Sequence, residues 1–253
     1  MKWWINRNYL KTKNDHHCMP LILNIETTGT NCSVALSKDT AIQNIKEDKE
    51  GRAHASRLAV FIDEILKEEQ LAVKDLDAVS ISKGPGSYTG LRIGVSTAKG
   101  LCYGSGVPLV SVHTLQALNQ YLLDHMADYG ISTSDDPYLV PMIDARRMEV
   151  YTAVFDRDNR FVRDVKAEII DEKSFEGMLG QHKMVFFGNG AAKCKEVIRH
   201  DNALFLDNLE LSAKNMVSLS EKQFLNKQFE DVAYFEPFYL KDFQATTPKK
   251  PIL

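Results

Sequence analysis

The order of apolar segments along this chain is written twice, and that repetition limits the available folds more than any single motif does. Residues 21–25 form a short apolar run. Residues 33–36 and 40–47 follow after short polar turns, which predicts a three-strand meander. Residues 53–69 read as a helix, because Leu58, Phe61, Ile62, Ile65 and Leu66 recur at helical spacing and make one apolar stripe. A strand at 77–82, a helix at 89–103, a strand at 108–112 and a helix at 115–126 complete the first half. After a polar, turn-rich linker at 124–137 the order recurs. Strands are expected at 138–143, 148–155 and 161–170, then a helix at 172–179, a strand at 184–187, a helix at 191–199, a strand at 203–206 and a helix at 212–229.

Each half is therefore β-β-β-α-β-α-β-α. Strands alternating with helices imply an α/β protein with mainly parallel sheets covered on both faces, and the opening hairpins add antiparallel edges. Two such lobes are the duplicated architecture shared by actin, Hsp70 and the sugar kinases, the ASKHA fold. The 253 residues divide into a leader at 1–20, a first lobe at 21–125, a second lobe at 138–229 whose last helix can pack back on lobe one, and a flexible tail at 241–253.

The leader differs from the rest. It holds both tryptophans, Trp3 and Trp4, and no periodic pattern, so residues 1–18 are expected to be dispensable for folding. Its contiguous His16, His17 and Cys18 are more consistent with a featureless extension than with a metal site. Four cations (Lys2, Arg7, Lys11, Lys13) against Asp15 give the first twenty residues +3, so the total of −3 leaves −6 for the remainder. An acidic body argues against nucleic-acid binding driven by bulk positive charge. No apolar run approaches the roughly 20 residues of a membrane span, and the leader lacks the pattern of a secretory signal. The four cysteines show no C-x-x-C spacing and are expected to be free thiols, which makes the cytoplasm the expected compartment.

An ATP site in this architecture needs glycine and small hydroxyl residues in the turns that open each lobe, so that backbone N–H groups can reach phosphate. The first turn, Glu26-Thr27-Thr28-Gly29-Thr30-Asn31, has that character. The second, Asp144-Ala145-Arg146-Arg147-Met148, has no glycine and two bulky cations. Gly188-Asn189-Gly190 falls where an adenosine-contacting turn would lie. Thr27, Thr28, Gly29, Gly188 and Gly190 are thus the weak nucleotide candidates. The segment GPGSYTGLRIG at 84–94 follows a strand and opens a helix, but it fits neither a P-loop nor a dinucleotide fingerprint. Gly90, Gly94 and Ala98, four residues apart, make a smooth helix face suited to close packing, inside the lobe or between chains.

Four segments in order, LILNIETTGTNCSVAL, SISKGPGSYTGLRIGVSTAKGLCYGSGVPLVSVHTLQAL, PMIDARRMEVYTAVF and FFGNGAAK, resemble the bacterial TsaB (YeaZ) family over residues 21–240. The resemblance implies a two-lobed ASKHA fold and a part in making N6-threonylcarbamoyladenosine on tRNAs that read codons starting with adenine. The catalytic paralogue TsaD carries a His-x-x-x-His metal pair after a similar segment. Here its two positions fall on Thr114 and Leu118, with His113 just before them. Leucine cannot ligate a metal.

The resemblance therefore implies a non-catalytic scaffold that needs no cofactor. Such a chain would bind a TsaD-like paralogue through lobe one, help recruit the TsaE ATPase, meet tRNA indirectly, and pair with itself when alone. ATP or ADP would bind weakly, at the lobe cleft or at the heterodimer boundary. Leu58, Phe61, Ile62 and Ile65 on one helix, and Gly90, Gly94 and Ala98 on the next, are the interface candidates. One of these faces can instead cover its own sheet. The competing function is an ASKHA small-molecule kinase or ATPase, which Thr27–Gly29 favours and the Asp144 turn disfavours.

Overall fold

In the computed structural model the described residues are 19–48, 54–132 and 136–241. Residues 1–18 of the leader, with its His16-His17-Cys18 run, and all but the first residue of the proposed tail lie outside them.

The first sheet grows from a tight meander of β1 (Leu21–Glu26), β2 (Cys32–Lys38) and β3 (Ala41–Asp48). β1 pairs antiparallel with β2, and β2 with β3. Helix α1 (His54–Glu68) leads to β4 (Ala78–Ser82), which lies parallel to β1. Helix α2 (Tyr88–Ser105) leads to β5 (Leu109–Val112), parallel to β4. The order is β3-β2-β1-β4-β5. After α3 (Thr114–Asp124) come β6 (Tyr138–Asp144), β7 (Glu149–Phe155) and β8 (Phe161–Ile169). Then follow α4 (Glu176–Leu179), β9 (Met184–Phe187), α5 (Ala191–Cys194), β10 (Ala203–Phe205) and α6 (Val217–Leu225). The second sheet runs β10-β9-β6-β7-β8, the first order repeated. The expected α/β duplication is present.

Helices α4 and α5 are much shorter than the apolar pattern suggested. Gly180 ends α4 after one turn, and α5 gives way to a turn after Cys194. The last expected helix starts as a 3-10 turn (Ala213–Met216) before α6.

The seven interface candidates need correction. Leu58, Phe61, Ile62, Ile65 and Ala98 are all buried in the cluster that also holds Leu23, Ile25, Val34 and Val79 of the first sheet. Gly90 and Gly94 are buried against Thr27. Both stripes are the inner faces of their helices, and neither is available to a second chain. The apolar periodicity was real, but its destination was the sheet beneath. The faces that α1 and α2 turn to solvent carry Val60, Ser96, Gly100 and Tyr103, the last 87% exposed.

Helix α3 follows β5 in the chain but does not cover the first sheet. Its Leu115, Leu118 and Leu122 pack with Leu139, Ile143, Val185 and Phe187 of the second. Helix α6, at the end of the second half, packs on the first sheet: the buried hydroxyls of Ser80 and Ser220 lie 2.7 Å apart, and Phe224 packs on Ile22 and Val110. Each sheet is thus capped by the other half's last helix. The chain then runs back along lobe one. Phe235 is anchored in the first core, Lys99 Nζ donates to the carbonyls of Ala233 and Phe235, and Phe238 N donates to Lys83 O at 2.7 Å. Lys241 ends this strap on Glu149 of the second lobe.

Cys32, Cys102 and Cys194 are buried free thiols, and burial raises them to about 11, 12 and 11 respectively. They are inert at neutral pH. No helix among the described residues is long and apolar enough to cross a membrane.

Candidate functional site

The first lobe's opening turn folds inward. Thr27 and Thr28 are 0% and 1% exposed. Thr27 Oγ1 donates to Gly90 O at 2.8 Å. Thr28 donates twice to the buried Glu26 Oε1, from its backbone N and its hydroxyl, each at 2.5 Å. The N–H that a phosphate would use is therefore held by a carboxylate. Burial pushes the Glu26 carboxyl up, and the bonds from Thr28 and Ser82 only partly oppose it. The carbonyl of Thr28 accepts from Ser87 N at 2.7 Å, and a Cβ on Gly86 would lie 2.5 Å from that same oxygen. The glycines of the 84–94 segment let the start of α2 close on this turn.

The other side of the turn is filled as well. A Cβ on Gly29 would lie 3.0 Å from Leu211 Cδ1. Leu211 is buried with Leu118 in the second core. Asn31 Nδ2 donates to Glu210 Oε2 at 2.9 Å, and Ala213 N donates to Ser33 Oγ at 2.8 Å. These bonds hold Leu211 in place.

Gly188 and Gly190 let the chain pack closely on β6. Gly188 has φ +94°, and a Cβ there would collide with Met142 O. Gly190 N donates to Met142 O at 3.0 Å. Asn189 Oδ1 accepts from Asp144 N at 2.9 Å. Leu118 Cδ2 would lie 3.2 Å from a Gly188 Cβ. Thr27, Thr28, Gly29, Gly188 and Gly190 are thus all placed near the lobe junction, with the protein's own backbone and side chains packed against them. The residues present do not fit a phosphate cradle.

The two positions at which the resemblance implied a metal pair in a paralogue, Thr114 and Leu118, are engaged in packing. Thr114 is fully buried, with its hydroxyl 2.6 Å from Ser82 Oγ, and Leu118 is core. No group of three potential ligands exists among the described residues. The second lobe's opening turn is clamped by Lys193, whose ammonium donates to Asp144 Oδ1 and to the carbonyls of Arg147 and Glu149. This leaves Arg146 and Arg147 exposed at positive φ.

A family model described as tRNA N6-adenosine threonylcarbamoyltransferase, TsaD, matches residues 36–249. The chain belongs to the TsaD family. Within it, the chain resembles the TsaB (YeaZ) members. It is 28% identical to the Escherichia coli tRNA threonylcarbamoyladenosine biosynthesis protein TsaB over 230 residues, covering 87% of this chain and 94% of that protein. It is 44% identical to the Cereibacter sphaeroides tRNA N6-adenosine threonylcarbamoyltransferase over 78 residues, only 21% of that enzyme. The YeaZ structure from Pseudomonas aeruginosa superposes with a TM-score of 0.72 at 22% identity, covering 88% of this chain and all of that one, which supports the shared fold.

Sequence reasoning missed Leu211 and Lys193. Leu211 lies in an irregular stretch with no pattern of its own, so only the tertiary structure shows that it seals Gly29. Lys193 was visible only as one residue of GNGAAK. His113, just before Thr114, faces Phe238 of the strap and Phe161 of β8 at ring distances of 5.5 and 6.5 Å.

Burial pushes the His113 imidazole down from 6.5 to about 4; the nearby Lys83 ammonium adds to this and the Gly84 backbone opposes it. A base with a depressed folded pKa binds fewer protons folded than unfolded. The stability this difference confers is full above pH 6.5 and is lost as pH falls towards 4. His113→Phe is expected to flatten that part of the acid limb. Urea midpoints compared across the window check it, and parallel curves for variant and wild type would contradict it.

Proposed function

We propose that this chain is a non-catalytic subunit of the machinery that makes N6-threonylcarbamoyladenosine on tRNA. In this role it holds a TsaD-type paralogue, helps recruit a TsaE-type ATPase, and meets tRNA as part of that assembly. Alone, it pairs with a second copy. The proteins it resembles over most of its length carry the name tRNA threonylcarbamoyladenosine biosynthesis protein. The observation that carries the non-catalytic reading is the filled junction. Leu118 stands where the paralogue has a metal ligand, and Leu211 closes the turn where phosphate would sit. The chain itself requires no nucleotide; ATP or ADP, where the assembly holds it, contacts this chain weakly at the boundary with the paralogue.

The docking surface is the outward face of α1 and α2, where Val60 and Tyr103 are exposed. Apolar and aromatic side chains on an otherwise polar helix face suit a protein partner. The chain alone is expected to show no threonylcarbamoyl transfer. It should restore modification when mixed with the TsaD and TsaE proteins, the enzyme that makes threonylcarbamoyl-AMP, and tRNA. Val60→Glu is expected to lose the paralogue in a pull-down while staying folded, whereas Ile62→Glu is expected to unfold. Modification that proceeds equally well without the chain would sink the reading.

A further inference from the structure

The first lobe and the second are joined on one side by a surface that the filled junction leaves unused. Tyr88 opens α2, and its ring lies 5.1 Å from that of Tyr239 on the strap, tilted by 38°. The guanidinium of Arg92 sits 5.5 Å from the Tyr88 ring centre. Tyr239 is 40% exposed, and Arg92 is exposed. Two residues beyond Tyr239, Lys241 reaches both carboxylate oxygens of Glu149. Glu149 belongs to the hairpin whose turn exposes Arg146 and Arg147. Arg92, Tyr88, Tyr239, Lys241, Arg146 and Arg147 therefore form one continuous track.

The charges along it are not balanced. Glu149 is neutralised by Lys241 and Asp144 by Lys193. Arg92, Arg146 and Arg147 form no ion pair among the described residues, and Glu236 lies beside Tyr239. This local excess of guanidinium stands on a body that carries −6.

We propose that this track is a contact surface for single-stranded RNA. Tyrosine faces and guanidinium planes stack on unpaired bases of any sequence, and unpaired arginines engage phosphates. The exposed Tyr239, held by the half-buried Tyr88, answers the first requirement and the three arginines the second. Unpaired guanidinium beside an exposed aromatic ring, on an otherwise acidic body, favours a polyanion there over a protein surface. The inference rests on the proposed role only in taking the RNA to be tRNA.

The test is fluorescence titration of a labelled anticodon stem-loop with the full chain, alone and bound to the TsaD-type paralogue. Tyr239→Ala is expected to weaken binding about five-fold or more. Arg146→Gln is expected to reduce the slope of log K against log salt by about 0.7. Both variants should melt like the wild type. RNA binding that ignores both substitutions overturns the proposal, as does a wild-type chain with no affinity in either state. Variants that release the paralogue but keep RNA also overturn it, because the strip would then be a protein interface. A chain that ignores the paralogue yet needs these residues for RNA would refute the scaffold role and leave this inference standing.

Discussion

Replacing Gly90 by alanine is expected to destabilise the protein severely. A Cβ there would fall inside the contact distance of the Thr27 carbonyl oxygen, closer than real Cβ atoms approach anything. That obstacle is backbone. Thr27 cannot retreat, because it is fully buried and its hydroxyl already donates to Gly90 O. Gly94, one turn on, would meet the Thr27 hydroxyl in the same way. Substitutions with a rigid overlap in a core fall in the exceptional class, at about 4 kcal/mol or more. For a chain of this size that is a fall in Tm of roughly 10 °C. Gly100→Ala is the control. It lies on the exposed face of the same helix, where a Cβ meets nothing within 4 Å. Alanine should stabilise the helix there by up to about 1 kcal/mol. Thermal melts followed by circular dichroism read both variants. A Gly90→Ala chain melting within about 2 °C of wild type would contradict the packing described.

Leu118→Ala is expected to cost about 2–5 kcal/mol, the range for deleting a fully buried leucine whose surroundings collapse only in part. Leu118 sits among Leu115, Leu122, Val185, Phe187 and Leu211 and rests on Gly188. The neighbours come from α3, the second sheet and the segment before α6, so no single element can shift to close the void. The size of the effect separates two pictures of the junction. A leucine lining an open nucleotide cleft would lose little when shortened, because water already reaches it. One that plugs the cleft loses its full packing. A cost below about 1 kcal/mol by urea denaturation would therefore restore the kinase reading. Leu118→His should be no kinder and should bind no metal, since Thr114 is already engaged with Ser82.

Much of the fold was legible because it rests on local patterns. The β1–β3 meander shows in short apolar runs split by turns, and the Leu58–Leu66 stripe marks α1 to within a residue at each end. What the stripe could not show was what lies opposite it. An apolar helix face needs a cover, and a sheet of the same lobe and a second chain satisfy that need equally in one dimension. The same ambiguity surrounded Gly90, Gly94 and Ala98, whose smooth face meets Thr27 and the core rather than a partner. Gly188 and Gly190 looked like a ligand turn because glycine signals close approach of something; here it is the backbone of β6. The candidate site was read most reliably where chemistry was missing, at Thr114 and Leu118, since leucine's inability to bind a metal does not depend on tertiary context. Leu211 and the strip from Arg92 to Arg147 are assembled from distant parts of the chain, so no local window contains them.

The exchange of capping helices has a mechanical corollary. With α3 seated on the second sheet and α6 on the first, the polypeptide hooks its two halves through each other. Neither half, cut from the other, retains every layer that covers its sheet, so an isolated half would expose a bare apolar face and aggregate. Stiffness follows too: opening the lobes like a clamshell would drag one helix off each sheet at once. The outer surfaces of the two lobes are thereby held at a set distance and angle, which suits the proposed assembly role.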